Sequence, residues 1–172
     1  MMKIIEKFSC DVEQDSLFLK DANLSSFQDK FPQLLNLTEQ LRKHLPDEYK
    51  YYLVDFMVLN CTKGKYTCRD ISWHFDGDYE KDNKYVLWVK GPNRTLFPKT
   101  NLNLNPPSCR IEQKNYLNNL FSDIETVEVP EETIVSYDSK DPHRGVSCLD
   151  EGKRYFFRMM ASNYIKPKRI SL

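Results

Sequence analysis

Hydrophobic positions change their rhythm near Tyr51, from a helical period before it to short runs broken by turn residues after it. Phe27, Phe31, Leu34, Leu35, Leu41 and Leu45 recur at helical spacing and predict a helix over Ser25–Leu45. Pro32 falls inside it and either starts a second helix or kinks the first. Arg42, Lys43 and His44 fill the last turn, where cations suit the helix dipole, and Pro46 stops it. Aromatic and β-branched runs predict strands at Tyr51–Leu59, Ile71–Asp76, Lys84–Lys90, Arg94–Phe97, Thr133–Tyr137 and Arg154–Met160. Turn formers separate them, among them Gly64, Gly77-Asp78, Gly91-Pro92, Pro106-Pro107 and Glu151-Gly152. A further short helix is predicted at Lys114–Phe121. The expected fold is mainly β with flanking helices, a sandwich or barrel with helices packed outside. Without repeats or Gly/Ser linkers, residues 1–172 read as a single domain, with 1–50 as an N-terminal helical region packed on the β core.

Composition narrows the function. Lys plus Arg equals Asp plus Glu, 25 against 25, so no general pull toward nucleic acid or anionic membrane exists. Nucleic acid stays open as a partner but is not indicated by charge. Lys166, Lys168 and Arg169 read as a solvated tail. No apolar run is long enough to span a bilayer, and Met1–Phe8 lacks the apolar stretch of a signal peptide, so a cytoplasmic location is expected. The five cysteines, Cys10, Cys61, Cys68, Cys109 and Cys148, are scattered and odd in number, which agrees with a reducing compartment. The sequons at Asn36, Asn60 and Asn93 are then chance matches.

Candidate chemistry centres on the histidines His44, His74 and His143. His44, at the helix end, reads as a surface or capping residue. In Trp73-His74-Phe75-Asp76, His74 and Asp76 are two apart, so on a strand both side chains leave one face, with Cβ atoms roughly 7 Å apart. An imidazole and a carboxylate so placed can close on one metal ion, with His143 as the candidate third ligand. Two histidines and one carboxylate leave the opposite coordination positions open, which suits non-haem Fe(II) and O2 chemistry. On the strand after Gly152, Arg154, Phe156, Arg158 and Met160 share a face, and two buried arginines need anionic partners. Those partners are carboxylates of the chain, such as Asp138 or Glu151, or a dicarboxylate ligand matched by the guanidinium fork.

The order His74-x-Asp76, His143, Arg154, Arg158 resembles the Fe(II)/2-oxoglutarate-dependent oxygenase family, and Gly91-Pro92-Asn93-Arg94-Thr95-Leu96-Phe97 resembles a Gly-rich, Thr-x-Phe segment of some members. The likeness spans Trp73 to Met160 and departs from the family at Pro92 and at Asn93-Arg94. It implies a double-stranded β-helix, jelly-roll or cupin-like, with the metal at its open end. It implies Fe(II) on His74, Asp76 and His143, and 2-oxoglutarate as a small-molecule cosubstrate with O2. Arg154 would hold the distal carboxylate of 2-oxoglutarate, helped by the Thr95 hydroxyl, and Arg158 would lie toward the other carboxylate or the substrate. The implied reaction is hydroxylation or demethylation of an unidentified substrate with release of succinate and CO2. Two other readings stay open: a cupin-type metal protein that does not use 2-oxoglutarate, and a non-catalytic jelly-roll binding module. Trp73, Trp88 and Tyr85 read as core or as a platform for a planar substrate, with core favoured for both tryptophans. Arg144 reads equally as an anion contact or a solvent-facing residue. Cys148 is a weak zinc or nucleophile signal, better read as a buried thiol. Asp78, Glu80 and Asp82 read as a solvated loop or a lid.

Overall fold

The computed structural model describes residues 1–66, 71–92, 94–100 and 103–170; Cys68 and Asn93 lie outside them. In chain order come β1 (Lys3–Lys7), β2 (Leu17–Asn23), α1 (Leu24–Lys30), a 3-10 turn (Pro32–Leu34), α2 (Leu35–Arg42) and β3 (Tyr51–Cys61). They are followed by β4 (Lys84–Lys90), β5 (Thr95–Pro98), α3 (Arg110–Leu120), β6 (Thr126–Glu128), β7 (Thr133–Asp138), β8 (Arg144–Gly145) and β9 (Gly152–Ser162). The predicted N-terminal helix is therefore broken at Pro32 into α1 and α2. β1 and β2, which the hydrophobic pattern does not predict, add strands to the first fifty residues.

The strands form two antiparallel sheets, the larger in the order β1-β7-β4-β9-β3-β2 and the smaller in the order β6-β5-β8. Just before β8, His74 and His143 form an isolated antiparallel bridge outside the named strands. From β3 onward the chain visits the large sheet, the His74 bridge, β4 in the large sheet, β5 and β6 in the small, β7 in the large, β8 in the small, and β9 in the large. That winding, with β9 between β3 and β4, is a double-stranded β-helix, the two-sheet jelly roll. Among the described residues, the segment expected as a strand at Ile71–Asp76 supplies only the His74 bridge to His143, and the chain turns away at Gly77, whose φ is +71°.

Both faces of the large sheet are buried. Val54, Phe56, Val58, Val86, Trp88, Phe157 and Met159 point outward and pack under Phe27, Leu34, Leu37 and Leu41 of the helical layer. Alternating with them, Leu53, Tyr85, Leu87, Val89, Val135, Tyr137 and Met160 point inward toward the small sheet. A strand buried on both faces reads as a continuous apolar run, which is why Tyr85-Val86-Leu87-Trp88-Val89 shows no alternation. β4 leaves the sheet at Gly91, whose φ is +108° and where any Cβ would overlap the Lys153 carbonyl oxygen. Only glycine lets this turn pass against β9 one residue before Arg154. None of the described helices is long and apolar enough to cross a membrane.

The helical layer has an identifiable cap. Asn23 is extended, and its Oδ1 accepts from the Ser26 amide at 3.2 Å, satisfying one of the orphan N–H groups that begin α1. Asn23→Ala is expected to destabilise the fold by about 1 kcal/mol. Urea unfolding reads this as a lower midpoint at unchanged slope; an unchanged midpoint would show that α1 is held by packing alone.

Candidate metal centre

His74 and His143 lie far apart in sequence and meet because their backbones pair. The His74 amide donates to the His143 carbonyl at 3.0 Å, and the His143 amide donates to the His74 carbonyl at 3.0 Å. Residues that exchange both hydrogen bonds stand directly opposite each other, so their side chains leave the same face. The two rings accordingly sit 4.5 Å apart between centroids. Asp76, two residues on from His74, points the same way. One ligand atom each from His74, Asp76 and His143 falls within 4.8 Å of the others. Trp73 and Phe75 point oppositely, into a cluster with Leu117 and Phe121 that seats α3 behind the small sheet.

Backbone carbonyls orient the imidazoles. His74 Nδ1 lies 2.9 Å from the Ser72 carbonyl and His143 Nδ1 lies 3.2 Å from the Asp141 carbonyl. A carbonyl only accepts, so each Nδ1 carries a proton and each Nε2 is turned toward other partners. His143 Nε2 faces Asp76 Oδ2 at 3.2 Å, an acceptor opposite an acceptor when the imidazole is neutral. A proton shared between the two groups, or a metal ion bound by both residues, relieves that contact. Two imidazoles oriented by backbone carbonyls and a carboxylate form a donor set that suits a divalent transition metal.

Around the carboxylate the charges are tightly arranged. Asp76 Oδ2 accepts from the Tyr137 hydroxyl at 2.6 Å and also contacts Arg158 Nη1. Burial works against the Asp76 charge, but the Arg158 guanidinium and His143 outweigh it and hold the carboxyl well below the usual carboxylate range. Burial and the Asp76 charge push the Tyr137 hydroxyl well above its ordinary range, so it stays a proton donor. Burial opposes the Arg158 charge too, yet Asp76 and Asp55 keep it firmly protonated. Asp55 is 3% exposed; its Oδ2 accepts from Arg158 Nε at 3.0 Å and contacts Nη2. Sequence reasoning missed Asp55, although one aspartate inside the apolar run Tyr51-Tyr52-Leu53-Val54-Asp55-Phe56 signals a buried charge with a partner.

A cavity of about 890 Å³ opens between the sheets and is lined by the three candidate ligands together with Thr95, Arg154 and Arg158. This volume lies within the range of small-molecule sites, about 300–1,000 Å³. Arg154 is 4% exposed, with its guanidinium carbon 5.0 Å from the Phe156 ring centroid. Thr95 is buried on β5, opposite Gly145 of β8. Thus all the residues singled out from the sequence as site residues border one cavity. The carboxylates facing Arg158 are Asp55 and Asp76, not Asp138 or Glu151. Trp73 and Trp88 are buried in apolar clusters, whereas Tyr85 borders the cavity, stacked on Tyr137 at 4.9 Å. Arg144 lies over the Trp73 ring at 5.1 Å. Asp78 pairs with Lys81, and Asp82 with Lys84 and Tyr49, so this acidic run is bonded within its own neighbourhood. Cys148 is a buried thiol beside Cys61, whose thiol is pushed up to about 12 by burial and by its hydrogen bond with Cys148. His44 pairs with Glu6 at the surface, at 2.9 Å.

Fold and site together define a double-stranded β-helix protein with a candidate His-Asp-His metal centre facing an internal cavity. No protein-family model matches the chain, and no curated protein matches it in sequence. Solved structures do resemble it. AviO1 from Streptomyces viridochromogenes Tue57 is 10% identical, with a TM-score of 0.49 over 97% of this chain and 76% of AviO1. A cupin protein from Bacteroides fragilis is 8% identical, with a TM-score of 0.40 over 96% of this chain and 95% of that one. HygX from Streptomyces hygroscopicus, solved with nickel and 2-oxoglutarate bound, is 14% identical, with a TM-score of 0.43 over 92% of this chain and 75% of HygX. At such identities the likeness concerns fold alone.

Proposed function

We propose that this protein is an Fe(II)- and 2-oxoglutarate-dependent oxygenase that hydroxylates or demethylates a small substrate, releasing succinate and CO2. The observation that carries the reading is the convergence of His74, Asp76 and His143 on one wall of a cavity that Arg154 also lines. In this reading His74 Nε2, His143 Nε2 and an Asp76 oxygen hold Fe(II). Bound there, Fe(II) would supply the redox chemistry that couples oxidation of the keto acid by O2 to oxidation of the substrate. The protein's residues bind and orient. Arg154 takes the distal carboxylate of 2-oxoglutarate as a charge-assisted pair, and the Thr95 hydroxyl donates to the same group. Tyr85, Leu87, Phe156 and Met160 give the cavity an apolar lining that excludes water.

A second reading, a metal-binding cupin-type protein that does not take 2-oxoglutarate, has one observation in its favour. Arg158, which the 2-oxoglutarate reading turns toward the cosubstrate's other carboxylate or the substrate, already faces Asp55 and Asp76.

Anaerobic titration with Fe(II) and then 2-oxoglutarate separates the readings. A visible charge-transfer band that needs both additions is the expected result. Iron binding without the band moves the assignment to the cupin-type reading, and failure to bind either leaves a non-catalytic binding module.

A further inference from the structure

Arg158 in the cavity wall is backed by a buried carboxylate, Asp55, to which the oxygenase reading gives no role. Asp55 on β3 stands directly opposite Arg158 on β9. Its Oδ2 takes the Nε and Nη2 side of the guanidinium, and its Oδ1 accepts from the Asp21 amide at 2.7 Å. Asp21 sits in a bulge of β2 with φ of +56°, so Asp55 is fixed from two sides by backbone and side chain. Only Nη1 of Arg158 remains directed at Asp76, and it meets Oδ2, the oxygen that Tyr137 and His143 also meet. Asp76 Oδ1 is the oxygen that these three groups leave aside.

We propose that Asp55 is a positioning residue for metal binding: by occupying one edge of the Arg158 guanidinium, it keeps Arg158 from gripping Asp76 with both nitrogens, so one carboxylate oxygen stays available to the metal. The alternative geometry is chemically strong. A guanidinium with an unoccupied edge pairs with a carboxylate through two parallel N–H···O bonds, which would engage both Asp76 oxygens. Asp55 also shares the Arg158 charge, so the cluster of Asp55, Arg158 and Asp76 carries net charge −1 rather than zero, and this attracts a cation. The inference rests on the metal-site reading of His74, Asp76 and His143 but not on any use of 2-oxoglutarate.

Co(II) titration of the metal-free protein, followed by its visible d–d bands and by competition with a chromogenic chelator, tests it. Asp55→Asn is near-isosteric and still offers an oxygen to the Asp21 amide, so the bulge keeps its partner. It is expected to weaken Co(II) binding by about 10–100-fold, the usual range for an outer-shell partner. Asp55→Asn with Arg158→Gln removes both the anchor and the fork, and is expected to return the affinity to within about threefold of the wild type. A residue that merely supported the fold would give losses that add, not a rescue. Should Asp55→Asn fail to fold, as judged by far-UV circular dichroism, Asp55→Thr replaces it, with a hydroxyl for the Asp21 amide and the same expected loss. Wild-type affinity and bands in the single variant overturn the proposal, as does a double variant no better than the single one. If the wild-type protein itself binds no Co(II), the metal-site reading falls and the inference with it.

Discussion

His74→Ala is expected to lower the affinity for Fe(II) or Co(II) by more than about 100-fold, beyond the 10–100-fold produced by loss of a group that only orients a ligand. The expectation follows from how the site is assembled. His74 and Asp76 come from one segment and His143 from another, and the paired amides and carbonyls of His74 and His143 lock the two segments in register. The backbone bridge does not depend on the imidazole, so the alanine variant keeps the bridge while losing one of three donors. His143→Ala is expected to behave alike. Asp76→Ala is the harsher change, because Arg158, His143 and Tyr137 all converge on its Oδ2, although Arg158 retains Asp55. Thermal unfolding with and without Co(II) gives an independent reading. A ligand at 100 times its Kd stabilises the native state by about 2.7 kcal/mol, and that increment should vanish in the His74 variant. A variant that binds Co(II) as tightly as the wild type would remove His74 from the metal site.

How far the sequence discloses this architecture depends on how each segment is buried. β4 runs over Lys84–Lys90 as predicted, and β3, β7 and β9 differ from prediction only at their ends. These central strands are covered on both faces, so their apolar runs stand out. β1 and β2 lie at the two edges of the large sheet, where exposure of Ile4 and Phe18 and bulges at Ile4/Glu6 and Leu19/Ala22 destroy the period of two. α3 starts at Arg110, four residues before the predicted Lys114, because Ile111 in its first turn is exposed and carries no face signal. For the site, the two-residue spacing of His74 and Asp76 places both side chains correctly even though no continuous strand forms there. What spacing does not disclose is pairing. Asp55 precedes Arg158 by about a hundred residues, and only the register of β3 against β9 puts them face to face.

Arg154→Met is expected to weaken 2-oxoglutarate binding by about 30-fold or more while leaving Co(II) affinity within about threefold of the wild type. Arg154 is buried on the inward face of β9, four residues before Arg158, and it borders the same cavity as the three candidate ligands. The two arginines nevertheless differ in surroundings. Arg158 is paired with Asp55 and Asp76, and Arg154 lies over the Phe156 ring and lines the cavity together with Thr95. Methionine keeps most of the side chain's length and its contact with Phe156, so the change removes charge more than packing. Truncating one partner of a buried, hydrogen-bonded charge pair costs about 2–5 kcal/mol, and the lower figure already corresponds to roughly 30-fold. Thr95→Val removes a single neutral donor worth about 1 kcal/mol, so its effect on 2-oxoglutarate should be about fivefold. Isothermal titration of the Co(II)-loaded, oxygen-free protein measures both. Loss of 2-oxoglutarate with metal retained is what an oxygenase built on this cavity requires. If Arg154→Met leaves 2-oxoglutarate binding unchanged, the ligand carboxylate is held elsewhere. If the wild-type protein takes metal but no 2-oxoglutarate, the same titration favours the cupin-type reading, because the metal triad can then bind its ion without the keto acid.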